Sequence, residues 1–95
     1  MGDLLQLLKD LALDENTLVI FTSDNGPTPE SYLKGHPTDP GFFGMTGPFS
    51  GIKRDTLEGG IREPTRVRWP GQVPAGQVNG TPSGQWDWLA TFAQL

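Results

Sequence analysis

Cysteine is absent from the 95 residues, which excludes a disulfide scaffold and a thiolate-held metal site. Histidine occurs once, at His36, and the serines are dispersed at positions 23, 31, 50 and 83, so no Ser–His–Asp arrangement is defined. No apolar run approaches the ~20 residues that a membrane-spanning helix needs. No glycine-rich segment runs into Lys-Ser or Lys-Thr, so a phosphate-cradling loop of that type is missing as well. Positive charge is also in short supply. Seven Lys and Arg face eleven Asp and Glu, for a net charge of −4, a poor basis for non-specific nucleic-acid binding, which rests on many phosphate contacts. The opening residues carry no signal-peptide pattern.

What is abundant is glycine and proline, 13 and 9 residues, close to the ~25–30% share that marks low complexity. With 35% hydrophobic residues, the chain is expected to bury one thin core and to spend much of its length in loops. The charge is uneven. Residues 1–40 hold Lys9 and Lys34 against seven acids, whereas residues 41–69 hold Lys53, Arg54, Arg62, Arg66 and Arg68 against three. That basic stretch suits either a salt-bridged surface or one compact anion such as phosphate or sulfate.

Leu4, Leu7, Leu8 and Leu11 fall at helical spacing, which predicts an amphipathic helix with Asp3 as its N-cap, fading near Leu13. Leu18-Val19-Ile20-Phe21 is an unbroken apolar run, the pattern of a strand covered on both faces in a parallel or mixed sheet. It stops at Thr22-Ser23-Asp24-Asn25-Gly26-Pro27, which cannot continue a ladder. Residues 27–62 read as a long loop, of a length that is uncommon unless functional or disordered. Residues 65–69 alternate and suit a second strand, and Trp86, Leu89, Ala90 and Ala93 suggest a closing helix. The order helix, strand, long loop, strand, helix is a piece of an α/β sandwich. Two strands do not make a stable sheet unaided, and the chain is expected to be an excised fragment.

Asp24 and Asn25 stand beyond the carboxyl end of the first strand, where α/β sheets place their ligands. A carboxylate and an amide oxygen are hard donors that suit Ca²⁺ or Mg²⁺, although Ca²⁺ takes ~6–8 oxygens, and Asp-Asn-Gly is equally good turn chemistry. Lys53, in a Gly-Ile-Lys-Arg segment, can reach an oxyanion as a mobile point charge or stand as a solvated surface lysine. Glu58, Arg62 and Glu63 flank a Gly59-Gly60 pair that marks a tight backbone passage, and structural ion pairs are the expectation for all three. His36 sits on the long loop, as a plain loop residue or as a contact to substrate.

Taken together, these segments resemble the sulfatase family. The matching residues are Leu18-Val19-Ile20-Phe21-Thr22-Ser23-Asp24-Asn25-Gly26-Pro27, Gly51-Ile52-Lys53-Arg54, Glu58-Gly59-Gly60-Ile61-Arg62-Glu63-Pro64, Arg68-Trp69-Pro70-Gly71 and Asp87-Trp88-Leu89-Ala90-Thr91-Phe92, the last with Ala90 where the family has Pro. The resemblance covers nearly the whole chain and implies an alkaline-phosphatase-like α/β fold and hydrolysis of sulfate esters. It implies a divalent cation, normally Ca²⁺, with Asp24 and Asn25 as two of its ligands and Lys53 as a contact to a sulfate oxygen. It implies a formylglycine nucleophile made within a Cys/Ser-x-Pro-x-Arg motif, and export to the periplasm, the exterior or a lysosome. The departures are equally specific. None of the four serines lies in Ser-x-Pro-x-Arg, and the family's paired N-terminal aspartates and its active-site histidines are missing. His36 matches neither of those histidines. Residues 1–95 are therefore expected to be a carboxyl-side part of a sulfatase catalytic domain, inactive alone and prone to self-associate. A phosphate or phosphonate ester hydrolase of the same superfamily and a non-catalytic binding module are the alternative readings.

Overall fold

A computed structural model describes residues 1–28 and 44–95. The first leucine-rich segment forms helix α1, Gly2–Asp10. Met1 occupies the N-cap position and Asp3 sits in the first turn, so the expected Asp3 cap is corrected: Asp3 acts there as a charge complementary to the helix dipole rather than as a capping acceptor. After Ala12, which takes a left-handed φ of 56°, a 3₁₀ turn spans Asp14–Asn16. It leads into strand β1, Val19–Phe21.

β1 pairs antiparallel with β2, Arg66–Arg68, in the register Val19↔Arg68, Ile20↔Val67, Phe21↔Arg66. Beyond the last rung, the Thr22 and Thr65 hydroxyls meet at 3.0 Å and carry the pairing one step further. Between the strands, Glu58–Ile61 forms a single helical turn, α2, where the Gly59-Gly60 pair predicted only a tight passage. Asp87–Phe92 forms α3, shorter than the sequence suggests. Its first turn is tied by a reciprocal pair. The Gly84 N–H donates to the Asp87 carboxylate at 2.7 Å, and the Asp87 N–H donates to the Gly84 carbonyl at 3.0 Å.

The helices and the two-stranded sheet follow the predicted order, but the expected coverage of β1 is not found. Val19 and Ile20 are half-buried and Phe21 is exposed. The physical reason is layering: among the described residues β1 packs against β2 alone of the elements, and none of the described helices lies across either face. Among the described residues no hydrophobic side chain is fully buried. The buried positions are Gly26, Gly59 and Gly60, so the best-packed point is a meeting of backbones. No helix among the described residues is long and apolar enough to cross a membrane.

Candidate functional site

The end of β1 and the loop before α2 converge on one cavity. Ser23, Asp24, Asn25, Gly26, Pro27, Thr28, Met45, Lys53 and Glu63 line a volume of about 380 Å³. Three of the four residues singled out from the sequence, Asp24, Asn25 and Lys53, are thus brought together. The fourth, His36, lies outside the described residues.

Each wall has a local cause. The Ser23 hydroxyl donates to the Asn25 carbonyl at 2.9 Å, closing a turn that ends the strand and presents Asp24 and Asn25. Across the cavity, the Ile52 N–H donates to the Asp55 carboxylate and the Asp55 N–H donates to the Ile52 carbonyl, both at 2.9 Å. Lys53 rides on that turn. It is flanked by two left-handed residues, Gly51 at φ 95° and Arg54 at φ 83°, and the second is a conformation that costs any side chain. The two walls are joined through backbone. The Lys53 N–H donates to the Pro27 carbonyl at 2.9 Å, and the Gly26 N–H donates to the Gly60 carbonyl at 3.0 Å.

Arg62 and Glu58 form the expected ion pair at 2.9 Å, and the Arg62 guanidinium also lies over the Phe49 ring, 4.5 Å from its centroid. Glu63 behaves differently, correcting the expectation of a structural ion pair: it is half-buried and faces the cavity. Burial pushes its carboxyl up, and the nearby Asp24 charge pushes it further the same way. The sheet explains the encounter: β1 and β2 pair as far as the Thr22–Thr65 contact, and the residues just beyond that contact carry Asp24 and Glu63 into the same cavity. That proximity becomes visible only once the strands are paired.

Asp24, Asn25 and Glu63 bring hard oxygens to the cavity lining, atoms of a kind that suits Ca²⁺ or Mg²⁺ better than a thiophilic metal. Among the described residues no group of three or more His, Cys, Asp and Glu side chains is placed to hold a metal ion. Two carboxyl groups, an amide and the Lys53 side chain thus share one cavity lining. A second hollow of about 490 Å³ lies along β2 and the loop after it, between Thr65 and Asn79. It shares no lining residue with the first.

Known proteins share extended sequence similarity with this chain. A family model described as Sulfatase matches residues 1–95. N-acetylgalactosamine-6-sulfatase of Homo sapiens is 47% identical over 79 residues, which cover 83% of this chain and 14% of that protein. Steryl-sulfatase of Rattus norvegicus is 40% identical over 95 residues, all of this chain and 16% of that protein. Arylsulfatase A of Homo sapiens is 39% identical over 95 residues, again all of this chain and 17% of that protein. The chain therefore spans about a sixth of the length of the curated relatives it matches. With the family model matched end to end and relatives at this identity, the chain belongs to the sulfatase family.

Proposed function

We propose that this chain forms the cation- and sulfate-contacting wall of a sulfuric ester hydrolase with an alkaline-phosphatase-like fold. The observation that carries the reading is the convergence of Asp24, Asn25 and Lys53, from segments far apart in sequence, on one cavity. Asp24 and Asn25 would hold a Ca²⁺ ion, or Mg²⁺, through a carboxylate and an amide oxygen. When bound, such a cation polarises a sulfate oxygen and offsets charge that develops on it. Lys53 would meet a second sulfate oxygen with its ammonium, and His36 would contact the substrate. A fixed cation and an ammonium facing one tetrahedral oxyanion stabilise the charge that accumulates as the ester bond breaks.

The nucleophile would be a formylglycine supplied by a part of the catalytic domain outside residues 1–95, since no residue here lies in its motif. On this reading the chain alone turns over no sulfate ester, and the setting is periplasmic, extracellular or lysosomal. Exposed Leu4, Leu7, Leu11, Phe21 and Trp86 would favour self-association. A phosphate or phosphonate ester hydrolase is the second reading, because the two oxyanions share a tetrahedral geometry. A free-standing binding module is the non-enzyme alternative.

Amide-resolved NMR with and without millimolar Ca²⁺ tests the assignment. Shifts confined to Asp24, Asn25, Gly26 and the Lys53 loop are expected, and a folded spectrum blind to Ca²⁺ would overturn the ligand assignment. Titration with inorganic sulfate and then phosphate separates the two ester classes at Lys53, with the stronger response to sulfate expected. Sedimentation as a clean monomer with little hydrophobic-dye binding would remove the self-association.

A further inference from the structure

The only buried residues described are three glycines: Gly26 lines the cavity, and Gly59 and Gly60 adjoin it, hydrogen-bonded to the 50–55 segment and to Gly26. A Cβ on Gly26 would overlap the Gly59 carbonyl oxygen and sit 2.9 Å from the Gly60 Cα. A Cβ on Gly59 would overlap the Gly51 carbonyl oxygen and sit 2.8 Å from that of Ser50. A Cβ on Gly60 would overlap the Asp55 carbonyl oxygen. These obstacles are backbone atoms, which cannot rotate away as a flexible side chain would. Hydrogen bonds run through the same point: Gly26 N–H to Gly60 carbonyl, Gly59 N–H to Ser50 carbonyl at 2.8 Å, and Lys53 N–H to Pro27 carbonyl.

We infer that Gly26, Gly59 and Gly60 are positioning residues, a backbone clasp that sets the separation between the Asp24-Asn25 turn and the Lys53 loop. The logic is mechanical. α2 is one turn long and is wedged between the two loops, with Gly60 bonded to Gly26 on one side and packed against the 52–55 turn on the other. Without side chains at the contact, the two backbones approach closely enough for the Pro27 carbonyl to take the Lys53 N–H. Any Cβ there pushes the loops apart, and the Asp24-Asn25 turn and the Lys53 loop lose the fixed separation at which they line one cavity. A cation ligand set and an oxyanion contact that must act on one small group need that distance held to a fraction of an ångström. Gly80, by contrast, has nothing within 4 Å of a built Cβ and provides a neutral control.

Two measurements test the clasp. The first needs no variant. Native-state hydrogen exchange in rising denaturant should show the Gly26, Lys53 and Gly59 amides opening in one event with a common denaturant dependence. Independent opening of these amides, or exchange at the rate of an unfolded chain, overturns the inference. The second reads the separation itself and rests on the cation assignment made above. Lys53→Met removes a like charge facing a bound cation, so Ca²⁺ alone should bind about threefold more tightly in the native background. In a Gly60→Ala background that gain should vanish, while a Gly80→Ala background should retain it. An equal gain in all three backgrounds overturns the clasp. No Ca²⁺ response in any background, together with a shared opening of the three amides, leaves the clasp standing and sinks the cation assignment.

Discussion

Residues 44–64 and residues 71–95 have much the same kind of composition, rich in glycine, proline and scattered apolar side chains, yet they are ordered by different means. In the first, Gly44 and Gly47 are open turn glycines, but Gly59 and Gly60 bring backbone against backbone, and these two of the three buried residues sit in one short helical turn. In the second, Gly71 and Gly76 have open space around them and left-handed φ values of 77° and 74°. They serve as turns and pack nothing. The apolar residues of that region stand in solvent: Val78 is 96% exposed, Trp86 81% and Leu89 79%. Its order is local, drawn from the Gly84–Asp87 pair and the stacking of Trp88 on Phe92 at 5.9 Å. A glycine is thus informative where its missing Cβ is filled by another segment.

The most severe break of this contrast is to fill one glycine of each kind. Gly59→Ala should cost about 3 kcal/mol, the upper range for overpacking, because the obstructing atom is a backbone carbonyl. Gly80→Ala should fall within about 0.5 kcal/mol of zero. Urea midpoints of the two variants compare them directly, and a similar cost for both would mean that the buried junction contributes nothing special.

Next in size is the link that anchors the sheet to the turn before it. Arg68 donates two hydrogen bonds to Asp14, at 2.7 and 2.8 Å, and the pair is only partly exposed. The hydrogen bonds from Arg68 hold the Asp14 carboxyl below its usual range, with burial opposing them. A depressed carboxylate pKa means that the stabilisation is fully present above the unfolded value, ~3.9, and drains away as pH falls below it through the folded pKa. The expected outcome is a fall in the urea midpoint on acidification below about pH 4. Asp14→Asn should show a lower midpoint at neutral pH and a flatter acid limb. A variant with an unchanged acid limb would place the titration elsewhere.

The legible parts of the molecule were those encoded locally. The leucine spacing announced α1, the apolar run Leu18-Val19-Ile20-Phe21 announced β1, and Asp24-Asn25-Gly26 announced the turn that ends it. Asp24, Asn25 and Lys53 could be singled out because each belongs to a short segment with recognisable chemistry, but their convergence rests on contacts across more than twenty residues of chain. A Gly59-Gly60 pair points to a reverse turn, since glycine is favoured in turns and disfavoured in helices; the helical turn found there depends on close backbone neighbours that the local sequence does not reveal. The two-sided coverage expected of β1 failed for a different reason: an apolar run reports what a strand would bury, and the layer that buries it must come from other segments. Glu63 flanks the double glycine as Glu58 and Arg62 do, where a structural ion pair is the expectation; the pairing of β1 with β2, which no single segment carries, brings it into one cavity with Asp24 instead.

A smaller effect sharpens the contrast on its ordered side. The Arg62 guanidinium lies over Phe49 and pairs with Glu58, so it ties the loop before the glycines to α2. Phe49→Leu keeps an apolar side chain and removes the ring face, and should cost about 0.5–1 kcal/mol, the worth of an exposed cation–π contact. Trp88→Leu, which removes a ring stacked within one helix, should leave the cavity's amide shifts untouched, while Phe49→Leu should move those of Ile52 and Lys53. Equal perturbation by both would dissolve the boundary between the two regions.

The smallest expected effect falls on Glu63, and its sign carries the information. Burial and the charge of Asp24 both disfavour the Glu63 carboxylate, so in the absence of a cation the folded chain holds two carboxyl groups that repel each other. Glu63→Gln keeps the shape and hydrogen-bonding capacity of the side chain and removes that repulsion. The metal-free chain should then gain a little stability at neutral pH. The gain should shrink on acidification, because a raised carboxyl pKa means that the native state already binds the proton as pH falls. A bound divalent cation reverses the balance, since it draws on the same two negative charges that repel without it. Ca²⁺ affinity should therefore fall in Glu63→Gln even as the metal-free protein becomes more stable. Opposite signs in the two measurements would identify Glu63 as part of the cavity's electrostatics. A loss in both would reduce it to a packing residue beside the sheet.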